Sequence, residues 1–246
     1  NFMKVRNFHF WGFFGSIIII LLLAAISYPW YYPSKMWLHR VDSLEKYNEI
    51  GEKYPGIEVD VVLRDSGIPD ITHDEDTTFG ITLDEYFEEL TTTEQHIWID
   101  VKNLTEDNAD DWLAWLEENT AEDNIDKDRI ILESKNWQTL AKFTNAGWYT
   151  SCYIDLDKPS HLSKEEIIHY TDSLEQIANS KCVKALSFPF WWYRSIKKYL
   201  DSDIDLLTWA HRSHPLELMF SPLGYRMRKD PQLSVILVKE KGTYHQ

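Results

Sequence analysis

Between His39 and Lys102 the chain spaces out side chains able to do chemistry: His39-Arg40, then Glu58-Val59-Asp60, then His73-Asp74, then Asp100-Val101-Lys102. Each set lies at or near the end of a short apolar, strand-like run. Residues two apart in a strand point to one side, so Glu58 and Asp60 project together, as do Asp100 and Lys102. Carboxylates gathered this way suit a hard, oxygen-seeking cation. Imidazole titrates near neutrality, so two histidines can divide acid and base roles. Beyond Asp60 the run continues through Val61-Val62-Leu63-Arg64, and Asp65-Ser66-Gly67-Ile68-Pro69 has turn chemistry. A hairpin there returns the chain through Ile71 and brings His73 back beside the carboxylates.

In order and spacing, the series His-Arg, Glu-x-Asp, His-Asp, acidic-x-Lys resembles the glycerophosphodiester phosphodiesterase group within the phospholipase-C-like TIM-barrel phosphodiesterases. The acidic-x-Lys pair written with Asp, as in Asp100-Val101-Lys102, is closer to the sphingomyelinase D and menorin-like branches. The resemblance implies a phosphoric diester hydrolase acting on a glycerophosphodiester or phospholipid headgroup. It implies one Mg²⁺ or Ca²⁺ held by Glu58, Asp60 and Asp100, with His39 and His73 as the catalytic pair and Arg40 and Lys102 facing the phosphate. The attacking oxygen would come from water or from a neighbouring substrate hydroxyl, the latter giving a cyclic phosphate in a phospholipase D-like reaction. Where the family follows His-Arg with Gly and then a Pro-Glu-Asn-Thr run, this chain has Val41-Asp42-Ser43-Leu44-Glu45. That departure keeps a second expectation in play, a catalytically silent barrel serving as a binding or assembly module of a membrane complex.

The elements that must position these residues alternate. Strand-like runs end near His39, Glu58, Asp100, Glu133, Cys152, Leu186, Leu207 and Ile236, and amphipathic or capped segments separate them. Eight strand-then-helix units with parallel connections predict a (β/α)8 TIM barrel over residues 34–246, with chemistry at the C-terminal ends of its strands. Glu133 and Trp209 end two of the later strands and are candidate pocket residues. Asp42-Ser43 reads as a helix cap, and Phe190-Trp191-Trp192-Tyr193 as an aromatic cluster able to meet acyl chains. Asn103-Leu104-Thr105 is a formal glycosylation sequon.

A hydrophobic share of 43%, with 11 Trp, 13 Tyr and 11 Phe, supports a large core. The net charge of -15 repels phosphate backbones, which excludes nucleic acid as the expected partner and favours metal cations as counter-charge. Cys152 and Cys182 lack metal-ligand spacing and read as two buried free thiols or, in an oxidising compartment, as one disulfide. At the N-terminus, Lys4 and Arg6 precede an uncharged run from Asn7 to Pro33 whose apolar part, Phe10 to Tyr28, meets the length of a membrane-spanning helix. Trp30, Tyr31 and Tyr32 follow where an interfacial aromatic belt would sit. The expectation is a short cytoplasmic tail over residues 1–9, a transmembrane signal anchor with its flank over 10–33, and a globular domain on the exoplasmic side; the alternative is a signal peptide cleaved near Ala25-Ile26-Ser27. Other membrane proteins are possible partners of such an anchor.

Overall fold

The computed structural model describes residues 15–23, 35–209 and 215–240, apart from the side chains at 216, 217 and 219. The chain divides into two compact units, Asn1–Pro33 and Ser34–Gln246.

Among the described residues the second unit has nine strands: β1 (Met36–Leu38), β2 (Gly56–Leu63), β3 (Pro69–Ile71), β4 (His96–Val101), β5 (Ile130–Ser134), β6 (Tyr149–Tyr153), β7 (Ala185–Pro189), β8 (Asp205–Trp209) and β9 (Leu233–Val238). All except β3 run parallel, each beside the next in chain order. The sheet closes on itself, because β1 pairs with β9 through Met36↔Ile236 and with β2 through Leu38↔Ile57. The result is a TIM barrel, with the eight parallel strands at the eight positions the sequence predicts. β3 is the extra element: it folds back antiparallel on β2, with Val61 opposite Ile71 and Leu63 opposite Pro69.

Helices follow the strands: α1 (Leu44–Ile50), α2 (Leu83–Leu90), α3 (Ala109–Glu122), α4 (Trp137–Asn145), α5 (Lys164–Ser180), α6 (Tyr193–Tyr199), α7 (Pro215–Phe220) and α8 (Pro222–Lys229). Their ends carry the expected signals. Thr82 and Ser163 form capping boxes with Glu85 and Glu166, and Gly147 takes a φ of 93° just past α4. Ser43, rather than Asp42, caps α1, its Oγ accepting from the Lys46 amide. Phe190–Trp192 form a 3₁₀ turn before α6, which rotates Trp192 and Tyr193 into the core, so the four aromatics do not make an exposed patch.

Strand alternation sorts the barrel interior by height. Trp37, Trp98, Ile131, Ala185, Leu207 and Val235 fill its lower layers as one buried cluster. Two residues further along the same strands come His39, Asp100, Glu133, Ser187, Trp209 and Leu237, at the C-terminal ends. Gly56 belongs to the lower level, and a side chain there would meet the Trp37 ring, since a Cβ would lie 2.3 Å from its nearest atom. Each fully buried Trp, Leu or Ile contributes roughly 1.5–3 kcal/mol. The packed floor is therefore a rigid platform for the polar layer above it.

Of the expected anchor over residues 10–33, only 15–23 are described. They are helical, with Ile17 through Leu23 exposed. No helix among the described residues is long and apolar enough to cross a membrane. The tail over residues 1–9, the aromatic flank and residues 210–214 lie outside the described residues. Cys152 and Cys182 are both free thiols.

Candidate active site

All nine side chains singled out in the sequence line one narrow pocket of about 60 Å³ at the C-terminal mouth of the barrel: His39, Arg40, Glu58, Asp60, His73, Asp100, Lys102, Glu133 and Trp209. Glu58 and Asp60 arrive on β2, and Asp60 is in register with Asp100 of β4, which is in register with Glu133 of β5. Glu58, Asp60 and Glu133 are 1–2% exposed. One oxygen from each of Glu58, Asp60 and Asp100 lies within 4.8 Å of the others. Two oxygens bound to one Ca²⁺ are at most roughly 5 Å apart, so this spacing fits a single cation without moving a strand.

The basic side chains of the pocket only partly balance these acids. Lys102 Nζ lies 2.6 Å from Asp60 Oδ1 and 2.5 Å from Asp100 Oδ2, while Arg40 Nε stands 3.6 Å from Asp60 Oδ2. Asp60 Oδ2 is buried and takes no hydrogen bond. Burial, reinforced by Asp60 and Asp42, pushes the Glu58 carboxyl well above its ordinary range. Burial would raise Asp60 as well, but the charge and hydrogen bond of Lys102, with Arg40 behind them, hold it low. Asp100 is raised by burial against the pull of Lys102, and Glu133 is raised far by burial and by Asp100. Lys102 itself is lifted, because Asp100, Asp60 and Glu58 outweigh the cost of burying its charge. Counted as ionised, these three carboxylates and Glu133 outweigh Arg40 and Lys102 by two charges and would repel a phosphate, and one divalent ion offsets that excess. The donor set, all oxygen with no thiolate, fits Mg²⁺ or Ca²⁺ and not a structural zinc.

Each half of the histidine pair is held by backbone. The His39 amide donates to Val238 O at 2.9 Å, and its Nε2 lies 3.5 Å from Glu58 Oε2. Arg40 sits at a φ of 52°, and its amide donates to Glu58 Oε2 at 2.7 Å. A non-glycine residue in the left-handed region costs of order 1–3 kcal/mol and persists only where its surroundings fix it. On the other side, the Thr72 amide donates to Asp60 O at 2.9 Å, carrying the hairpin up to His73. His73 Nδ1 is 2.8 Å from Asp74 Oδ1, with half of its side chain exposed toward the mouth. Arg64 straps this loop: it donates twice to Asp70 Oδ2, at 2.9 and 2.6 Å, and also to the carbonyls of Glu75 and Thr77.

The sequence reading missed four contributors. Tyr153 and Leu237 complete the pocket wall, and Tyr153 lies against Trp209 with centroids 4.8 Å apart. Tyr153 and Trp209 belong to strands that are not neighbours, and only the closed barrel brings them together. Asp42, read as a cap, instead accepts the Asp60 amide on Oδ1 at 3.1 Å, and burial raises its carboxyl to about 7. Lys46, on the first turn of α1, is buried behind the site. The sequon asparagine serves the fold, because the Asn103 amide group exchanges two hydrogen bonds with the Leu63 backbone, at 3.0 and 2.9 Å.

No family model matches this sequence, and no curated protein matches it. Solved structures do. A glycerophosphodiester phosphodiesterase of Parabacteroides distasonis matches with a TM-score of 0.56 at 15% identity, over 84% of this chain and 92% of the other. A protein of Silicibacter pomeroyi assigned as a glycerophosphoryl diester phosphodiesterase matches with a TM-score of 0.58 at 14% identity, over 85% and 90%. One of Galdieria sulphuraria with a similar assignment gives 0.57 at 12% identity, over 82% and 92%. At these identities the likeness shows the fold: the chain has the TIM barrel of the phosphodiesterases that its sequence motifs resemble.

Proposed function

We propose that the protein is a divalent-metal-dependent phosphodiesterase that hydrolyses a glycerophosphodiester or a phospholipid headgroup. The observation that carries this reading is the convergence of Glu58, Asp60 and Asp100 in one pocket that His39 and His73 also line. The structural neighbours named for glycerophosphodiester hydrolysis support it. Mg²⁺ or Ca²⁺ held by the three carboxylates would neutralise the phosphoryl oxygens when bound. Arg40 and Lys102 supply further positive charge to the phosphate as charge develops on it. One imidazole takes the proton of the attacking oxygen and the other delivers a proton to the leaving alkoxide, each worth on the order of a hundredfold or more. Asp74 orients His73 for its half of that exchange, and Glu133, Tyr153 and Trp209 wall the side that receives the alcohol or headgroup. The exposed apolar residues 17–23, behind Lys4 and Arg6, support our further reading that the N-terminal segment tethers the barrel to a membrane, with the barrel on the exoplasmic side.

Turnover of glycerophosphocholine, glycerophosphoethanolamine and lysophospholipids, measured with Mg²⁺ or Ca²⁺ and again with chelator, tests the proposal. Metal-dependent release of the alcohol is the expected result. Phosphorus NMR of the products separates hydrolysis from cyclisation. The narrowness of the pocket and the Lys102 bridge across Asp60 and Asp100 favour one second reading, a binding module. Metal uptake with no turnover across the panel would select it.

A further inference from the structure

Four of the described helices begin with a Ser or Thr cap that engages the third helical residue; in α8 that residue is Gly224, whose amide donates to Ser221 Oγ at 3.0 Å. In α2 and α5 that residue is Glu, and it reaches back to the N-cap amide as a capping box does. In α1 it is Lys46. Its amide donates to Ser43 Oγ at 3.2 Å, but its ammonium passes the cap and reaches upstream. Nζ donates to the carbonyl of His39 at 2.8 Å and to that of Arg40 at 2.6 Å. These are the two residues of the first loop that line the pocket. Lys46 is only 2% exposed, so its ammonium is held against those carbonyls and away from water. Nearby, Asp42 ties the same loop to the Asp60 amide.

We propose that Lys46 is a positioning residue of the site: its ammonium clamps the His39 and Arg40 carbonyls and so fixes the left-handed turn that aims the imidazole, the guanidinium and the Arg40 amide at Glu58 and Asp60. The family pattern places a glycine directly after His-Arg, and this chain has Val41 there. The clamp supplies the loop geometry by side-chain hydrogen bonds, from a residue that touches neither phosphate nor metal ligand. The kinetic half of this inference rests on the phosphodiesterase reading; the structural half does not.

The test compares the wild-type protein with Lys46→Met, similar in length but without donors, and Lys46→Arg, which restores donors. Amide hydrogen exchange and steady-state turnover of glycerophosphocholine are measured on all three. We expect Lys46→Met to speed exchange at the Arg40 amide about tenfold or more while Ile99, in the barrel wall, changes little. We expect kcat to fall about thirtyfold with KM within about threefold, as for lost positioning of a proton-transfer group, and Lys46→Arg to recover most of both. Unchanged Arg40 exchange in Lys46→Met would overturn the clamp. So would a variant that fails to fold, or one whose protection drops equally in loop and barrel wall, because both mark a part in general stability. If the wild-type protein turns over no diester, the phosphodiesterase reading falls, and the exchange comparison still decides the clamp.

Discussion

Asp60 and Asp100 answer each other across two strands, and Lys102 is the charge that lets them do so. Removing one partner of a buried ion pair costs about 3–5 kcal/mol, because the remaining charge is left uncompensated. Lys102→Met should therefore lower the melting temperature of the metal-free protein clearly, and added Ca²⁺ should raise it more in the variant than in wild type. A thermal melt with and without the ion reads this directly. Glu58→Gln removes a carboxyl that burial already pushes toward its protonated form, and keeps its shape. It should fold normally and lose metal affinity in calorimetry, with activity down about hundredfold or more, the scale of a lost catalytic group. At this scale the sequence was legible wherever spacing alone sets direction: Glu58 with Asp60, Asp100 with Lys102. Asp42 was not legible, because Asp before Ser reads as a helix cap, and only the fold shows its carboxylate turned to the Asp60 amide.

The barrel strands could be read because each is a short apolar, β-branched run closed by turn residues, and their inward side could be read from alternation. β9 spans the residues the pattern marks, Leu233–Val238. Helix starts are less legible: α3 begins at Ala109, because Asp107 and Asn108, polar like the residues that open it, belong to the preceding turn. Contacts that depend on closure, such as Tyr153 with Trp209, leave no trace in local pattern. Two elements carry predictions. Gly56→Ala sets a methyl group against Trp37 on the barrel floor, and overpacking of this kind costs about 1–3 kcal/mol. Denaturant unfolding should show that loss. In the hairpin, Arg64→Leu cuts the strap on the loop between His73 and Thr77. It should lower kcat about tenfold with little effect on metal affinity, since a misplaced catalytic group costs rate before binding.

The whole molecule carries a net charge of -15 and concentrates buried acids at one end of its barrel, so its stability should depend on pH in a definite direction. Asp42 rises from an ordinary value of 3.8 to about 7 on folding. The folded state therefore holds a proton that the unfolded chain has released, and stability falls as pH rises from about 4 to about 7. Glu58, Asp100 and Glu133 act in the same sense. His96, lowered by burial, works the other way up to its ordinary 6.5 but is one group against four, and Lys46, lowered to about 8, does so only above that pH. The metal-free protein should thus be more stable near pH 5.5 than near pH 7.5, and Asp42→Asn, which keeps the acceptor for the Asp60 amide, should flatten the slope. The buried acids Glu58, Asp60, Asp100 and Glu133, the two imidazoles and the two basic side chains all line one pocket. Crystals soaked in Mn²⁺, with anomalous scattering recorded at its absorption edge, address that pocket most directly. One strong peak bonded by Glu58, Asp60 and Asp100 together is predicted, with its loss in Glu58→Gln; no peak there at millimolar Mn²⁺, or one whose ligands leave out β2, would contradict a shared metal centre.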